Sequence, residues 1–352
     1  MSTRISLQPY DSYNERLESN VHPRDWVNPV PKGRYNLVVI GGGTAGLVSA
    51  MGAAGLGARV ALIERDLLGG DCLNVGCVPS KALIRAARGA AAVRESAKFG
   101  VQLSSPPSVD FGLVMERMRR LRSQISPHDS AKRFQAAGID VFLGNGRFTG
   151  RDTIEVSGSQ LKFKKAVIAT GGRATALQVD GSNEVDVLTN ESVFSLTSLP
   201  ARLIVIGGGP IGCEMAQSFA RFGSLVTIVE KASQVLPRED PDAAELVRGQ
   251  MARDGVNFEF SCSVVRLQQS GRDKLVTIRR GDQETTLAGD AILVATGRTP
   301  NVGGLGLEQA GVRYDLRSGV EVNDRLQTSN PSIFAAGDVA SRYRFTHAAD
   351  FM

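Results

Sequence analysis

The stretch Leu37-Val-Val-Ile40-Gly41-Gly-Gly43-Thr-Ala-Gly46, followed by an Ala/Gly-rich run and then by Val60-Ala-Leu-Ile63-Glu64, decides how this chain is read. An apolar run that stops on closely spaced glycines and passes into a helix-forming segment describes a strand, a tight turn and a helix. Gly41 admits the turn, Gly43 lets the backbone approach a pyrophosphate, and Gly46 lets helix and strand pack closely. The helix start offers unpaired N–H groups and a positive dipole end to phosphates. Glu64, at the end of the second strand, can accept hydrogen bonds from ribose hydroxyls. The spacing predicts a βαβ dinucleotide-binding unit.

The pattern returns once. Leu203-Ile-Val-Ile206 runs into Gly207-Gly-Gly209-Pro-Ile-Gly212, then a helical stretch to Phe222, then Leu225-Val-Thr-Ile-Val229-Glu230. All three glycines and the terminal acid keep the same offset, so the chain holds an internal duplication of the unit. Three further apolar strands end alike, at Thr170-Gly171, at Thr296-Gly297-Arg298 and at Gly337-Asp338. Strand ends in a doubly wound sheet face the ligand crevice, which makes Thr170, Gly171, Gly297, Gly337 and Asp338 candidate cofactor contacts; taken singly, each is an ordinary turn. The expected fold is α/β with two Rossmann-like, doubly wound domains. A first domain is expected over 35–185 plus 301–352, a second over 186–300, and an N-terminal extension over 1–34. The chain is expected to return to the first domain after Pro300, because the Gly337-Asp338 strand has no partner in a finished second unit. Pro/Ser-containing connections are expected at Ser104 to Ser108 and Leu196 to Arg202.

Composition excludes more than it assigns. With 352 residues and 42% hydrophobic content the chain is an ordinary globular one of two or three domains. The net charge of +5 is spread along the chain, so nucleic acid is not an expected partner. The densest basic run, Arg117-Met-Arg119-Arg120-Leu-Arg122, alternates with Met115, Met118 and Leu121 and predicts an amphipathic helix with a charged outer face. Ala45 to Ile63 contains Arg59 and breaks into helix and strand, so no membrane span is expected. Met1 to Gly33 is polar and does not read as a signal peptide, and four cysteines are too few for a disulfide-stapled secreted fold. The cytoplasm is the expected address.

Two of those cysteines stand in Gly69-Gly70-Asp71-Cys72-Leu-Asn74-Val-Gly76-Cys77-Val-Pro-Ser-Lys81, directly after the first nucleotide unit and ahead of an Ala/Arg-rich helix. Cysteines so placed near a helix start can bridge, and the positive helix end lowers thiol pKa values. The competing readings are a structural disulfide, rare in the cytosol, and half of a metal site. Cys213, Cys262 and the three histidines do not complete the latter with suitable spacing, so no metal ligands are expected. A redox-active pair is the preferred reading.

This segment closely resembles the active-site stretch of the pyridine nucleotide-disulfide oxidoreductases, which include dihydrolipoamide dehydrogenase, glutathione reductase and mercuric reductase. The resemblance extends to the paired glycine motifs, the Ala-Thr-Gly turns and Ala-Ala-Gly337-Asp338, and so runs from Tyr35 to the end. It implies that the first glycine unit with Glu64 is an FAD adenosine site and that Asp338 reaches the ribityl and flavin region. The second unit would take the nicotinamide nucleotide. Cys77 looks like the charge-transfer thiol, Cys72 like the interchange thiol, Lys81 like the lysine beside flavin N5 and Glu214 like its ion-pair partner. Electrons would pass from NAD(P)H through FAD to the Cys72–Cys77 disulfide and on to an acceptor.

Family members carry a C-terminal interface domain with a His/Glu acid–base pair that serves a second subunit. His22, His128 and His347 are the only histidines here and none has the family's His-Pro context, so the interface domain is expected to be missing from this chain and a homodimer is expected for a full-length one. The Gly-Gly-Asp-Cys setting, the stretch around Arg238 and His22-Pro-Arg-Asp-Trp26 look most like mercuric reductase-related proteins, with a metal-ion or small-molecule acceptor. A dihydrolipoamide dehydrogenase-like enzyme is the second reading, and a non-catalytic nucleotide-binding redox module the third. Glu230 suits a free ribose 2′-hydroxyl and favours NADH over NADPH, although Lys231 is adjacent.

Overall fold

The computed structural model describes residues 7–105 and 107–352; residues 1–6 of the expected extension and Pro106 of the expected connection lie outside them. The chain forms two compact units. One comprises Met1–Val78, Arg119–Arg173 and Arg298–Met352, the other Pro79–Met118 and Ala174–Gly297. The sequence placed the divisions at 185 and 300 and kept all of 35–185 together. Residues 79–118 instead belong with the second unit, where the ring of Phe111 packs 5.7 Å from Phe219 and 5.9 Å from Phe222.

In the first unit a parallel sheet runs in the order Asp140–Leu143, Val60–Glu64, Arg34–Ile40, Ser159–Ile168. The far side of Ser159–Ile168 is shared. The antiparallel meander Gly146–Gly150 and Thr153–Val156 pairs with its first half, and Ile333–Ala335 runs parallel to its second half. Val60–Glu64 is buried along its whole length, as a strand covered on both faces must be. Register sets the functional edge: Ile40 lies opposite Ile63 and Ile168, and Ile168 opposite Ala335. One row of the sheet therefore ends where Gly41, Glu64, Thr170 and Gly337 begin.

The described part of the first 34 residues is integral to this unit and no mere extension. Its helix Ser12–Val21 is capped by Asp11, whose carboxylate accepts from Asn14 N at 3.0 Å. Leu17 and Val21 are buried in one cluster with Leu67, Leu68, Leu73 and Phe134. The basic run does form a helix, Phe111–Ile125, with Met115 and Met118 buried. The charged outer face is only partly right. Arg120 is exposed, but Arg119 and Arg122 are buried and hydrogen-bonded.

The second unit repeats the plan with a parallel sheet in the order Val256–Glu259, Leu225–Val229, Arg202–Ile206, Ala291–Val294. A three-stranded antiparallel sheet, Ser263–Ser270, Asp273–Arg280 and Gln283–Gly289, supplies Val276 and Ile278 to a core shared with Ile204, Ile206, Val229 and Ile292. Among the described residues no helix is long and apolar enough to cross a membrane.

Candidate functional site

The two glycine loops are built alike down to single atoms. Gly41 N donates to Ile63 O and Gly207 N to Val229 O, each at 2.8 Å. Both first glycines have positive φ, and a Cβ there would strike the carbonyl of Ala169 or Ala295, the residue that opens each Thr-Gly turn. A Cβ on Gly46 or Gly212 would strike the carbonyl oxygen of Gly41 or Gly207. These turns thus seat the loops as well as flanking them. The helices that follow, Thr44–Gly55 and Pro210–Phe222, have Gly43 and Gly209 as N-caps with no side-chain cap, which leaves first-turn N–H groups for a phosphate. The residues present fit a dinucleotide in each unit.

Glu64 and Glu230 occupy equivalent positions. Glu64 Oε2 accepts from Gly42 N at 2.6 Å and Oε1 from Asp66 N at 2.6 Å; Glu230 Oε2 accepts from Gly208 N at 2.6 Å and Oε1 from Ala232 N at 2.8 Å. Each carboxylate oxygen retains a lone pair for a ribose hydroxyl. Burial pushes the Glu64 carboxyl up, opposed by those two backbone bonds. Sequence reasoning assigned the acids to a ligand and missed that they first hold the middle glycine of their own loop.

The cysteines sit on a compressed turn. Gly69 and Gly70 have positive φ ahead of the short helix Gly70–Asn74, and a Cβ on Gly70 would lie 2.7 Å from Gly43 Cα. The first glycine loop and the cysteine turn therefore touch through two glycines. A Cβ on Gly76 would lie 2.7 Å from Asp71 O, so the link between the cysteines is equally tight. Cys72 lies within the short helix and Cys77 opens the helix Cys77–Arg94. The pair is present as two thiols; a hydrogen bond to Cys77, and then burial, push the Cys72 thiol up. Cys77 Sγ also lies 3.1 Å from Thr346 Oγ1. Cys77 stands at the positive end of an 18-residue helix, a setting that favours a thiolate.

Arg298 ties the turn to the last strand. Its guanidinium is mostly buried, pairs with Asp71, pairs with Asp338 at 2.9 Å, and donates to Gly172 O at 2.7 Å. Asp71 immediately precedes Cys72, so one cation fixes both the residue before the first thiol and the acid of the Gly337-Asp338 turn. Burial pushes the Asp71 carboxyl up and Arg298 opposes that shift. The sequence had shown Arg298 only as part of a turn. Thr170 and Gly171 are clamped by Asn301, with Thr170 Oγ1 donating to Asn301 O at 2.8 Å and Asn301 N donating to Gly171 O at 2.9 Å.

In the second unit Lys81 Nζ meets Glu214 Oε1 at 2.6 Å, the pairing the resemblance implied. The Lys81 side chain is 60% exposed, so this ion pair adds little to stability. Gly297 has positive φ and its carbonyl accepts from Thr175 N at 3.0 Å. Cys213 and Cys262 are buried elsewhere in this unit, and burial pushes Cys213 up to about 12. Among the described residues, no group of three or more His, Cys, Asp or Glu is arranged to hold a metal ion.

Comparison with known proteins agrees with this geometry. The chain is 35% identical over 317 residues to mercuric reductase of Lysinibacillus sphaericus, covering 90% of this chain and 58% of that protein. It is 33% identical over 320 residues to dihydrolipoyl dehydrogenase of Acholeplasma laidlawii, covering 90% of this chain and 93% of that protein. The solved structure of the HOCl-induced flavoprotein disulfide reductase RclA from Escherichia coli superposes with a TM-score of 0.79 at 32% identity, over 90% of this chain and 69% of that one. The chain thus spans little more than half of the mercuric reductase it matches. Residues 35–352 match the family described as pyridine nucleotide-disulphide oxidoreductase, to which this chain belongs.

Proposed function

We propose that the chain carries electrons from NAD(P)H, through FAD, to the Cys72/Cys77 pair and then to an acceptor, in the manner of a mercuric reductase. The observation that carries this reading is the thiol pair itself, in hydrogen-bonding contact on a turn that rests against the first glycine loop. FAD would be held by Gly41, Gly43, Gly46, Glu64, Thr170, Gly171, Gly337 and Asp338, and the nicotinamide nucleotide by Gly207, Gly209, Gly212, Glu230 and Gly297. Bound together, these cofactors supply two-electron reducing equivalents to a disulfide.

The chain's own residues do the rest. Reduction breaks the Cys72–Cys77 S–S bond with uptake of two electrons and one proton, which leaves Cys72 a thiol and Cys77 a thiolate. Cys77, at its helix start, holds the thiolate, and Cys72 is the thiol that meets the acceptor. When two electrons pass to Hg(II), which becomes Hg(0), the S–S bond reforms and the one proton on Cys72 leaves. Lys81 and Glu214 act together as a charge pair. Glu230 favours NADH, because a 2′-phosphate beside a carboxylate is repelled. We place the full-length protein in the cytoplasm as a homodimer.

Dihydrolipoamide is the second candidate substrate, favoured by the match to 93% of the length of a dihydrolipoyl dehydrogenase. NAD(P)H oxidation by FAD-loaded protein, with thiol-buffered HgCl2 and with lipoamide as acceptors, separates the two. Turnover with Hg(II) that is lost in Cys72→Ser supports the first reading. Turnover with lipoamide alone replaces it by the second, and a flavin that neither nicotinamide reduces leaves a non-catalytic module.

A further inference from the structure

Asn74 lies between the two cysteines, and its main-chain carbonyl ends the short helix that carries Cys72. Such a carbonyl has no intrahelical donor and needs one from elsewhere. Arg122 provides it. Its Nη1 donates to Asn74 O at 2.7 Å and its Nη2 to Asn14 Oδ1 at 2.7 Å. Arg122 is 3% exposed, and Asn14 and Asn74 are fully buried. Burial pushes the guanidinium down to about 10, so it remains a cation at neutral pH, well placed at a helix C-terminus.

The other end of the contact is anchored. Asn14 Nδ2 is committed to Pro9 O at 2.8 Å, which turns Oδ1 toward Arg122. Asp11, the cap of the same helix, accepts from Arg119 Nε at 2.6 Å. Helix Ser12–Val21 also reaches the cysteine turn through its backbone, with Leu68 N donating to Val21 O at 3.1 Å. Asn74 Nδ2 in turn donates to Leu68 O at 3.1 Å and Gly70 O at 2.9 Å.

We propose that Arg122 is a positioning residue for the redox pair: through it the N-terminal helix braces the turn between Cys72 and Cys77 and sets their thiol–disulfide equilibrium. The inference rests on the pair being redox-active, as proposed above. A disulfide ties the two cysteines with or without the brace, so freedom released by removing Arg122 goes mainly to the dithiol form. Loss of the brace therefore disfavours the disulfide.

The test equilibrates the full chain anaerobically in glutathione buffers, where dithiol plus glutathione disulfide gives protein disulfide plus two glutathione. Acid quenching, alkylation and mass spectrometry then count the Cys72–Cys77 bridge. Arg122→Met is expected to shift the equilibrium about tenfold toward the dithiol, or about 30 mV for this two-electron couple. Arg122→Lys, which cannot span both acceptors, is expected to shift it about threefold. Asn28→Ala serves as the structural control. It cuts the same N-terminal segment from Leu143, which Asn28 holds at 2.8 and 3.0 Å, and is expected to lower the Tm without moving the equilibrium. An Arg122→Met equilibrium within twofold of wild type, or an Asn28→Ala shift as large, overturns the proposal. If Arg122→Met does not fold, Asn14→Ala takes its place, with a shift of about threefold expected and none overturning. A wild-type chain that forms no bridge at any ratio removes the redox reading and this inference together.

Discussion

Removing the Arg298 cation should destabilise the first unit in a pH-dependent way. In Arg298→Met, Asp71 and Asp338 lose their shared partner and Gly172 O loses a donor. Breaking a buried pair by deleting one member costs about 3–5 kcal/mol. The Asp71 side chain is 37% exposed, so solvent screening brings the expectation to about 2–3 kcal/mol. For a unit of this size that is a fall in Tm of about 5–10 °C. The sign of the pH effect follows from Asp71, whose carboxyl is raised by burial while Arg298 opposes the rise. A carboxyl raised in the folded state contributes stability below its unfolded pKa, near 4, and loses that contribution as pH rises through the folded value. Without Arg298 the rise is larger and so is the loss. The Tm difference between wild type and variant, followed by calorimetry, should widen from pH 4.5 to pH 8. A difference that is constant across that range, or below about 1 °C throughout, refutes the reasoning.

Other consequences follow from the same geometry. Gly46→Ala forces a Cβ onto Gly41 O and should cost about 1–3 kcal/mol and the retention of FAD, whereas Gly212→Ala should spare FAD, read by its absorbance after gel filtration, and weaken nicotinamide binding. Loss of FAD in Gly212→Ala alone would reverse the assignment of the units. Thiol titration of reduced native protein at pH 8 should find Cys77 reactive and Cys213 silent, because a thiol near 12 is about one part in ten thousand thiolate there. Rapid labelling of Cys213, located by peptide mapping, would contradict that. NADH should reduce the flavin at lower concentration than NADPH, and Glu230→Ala should narrow the gap; a wild-type preference for NADPH would overturn the role given to Glu230.

The glycine loops were legible because their requirement is local. Gly41 and Gly46 are fixed by collisions with atoms of the same turn or the adjoining strand, and such constraints leave a spacing in the sequence. The cysteine turn was legible for the same reason. What could not be read were contacts between distant segments. Arg122 was placed on a charged outer face because its neighbours Arg117 and Arg120 alternate with apolar residues. Yet Arg122 stands seven residues after Met115 and four after Met118, which puts it on the buried face. That spacing was the available signal; its partners, Asn14 and Asn74, were not available from it. Arg298 and Asp71 stand in two separate motifs, and nothing in either announces that one cation joins them. The unit division near 79–118 failed for a related reason, since the aromatic packing of Phe111 on Phe219 and Phe222 is also long-range.

The most direct test of the central claim is an anaerobic titration of FAD-loaded protein with NADH and then NADPH, recording the flavin spectrum of wild type and Cys77→Ser. The account predicts a long-wavelength thiolate-to-flavin band in the wild type that the substitution abolishes. A flavin that stays oxidised with both nucleotides, or a band that survives in Cys77→Ser, would contradict it.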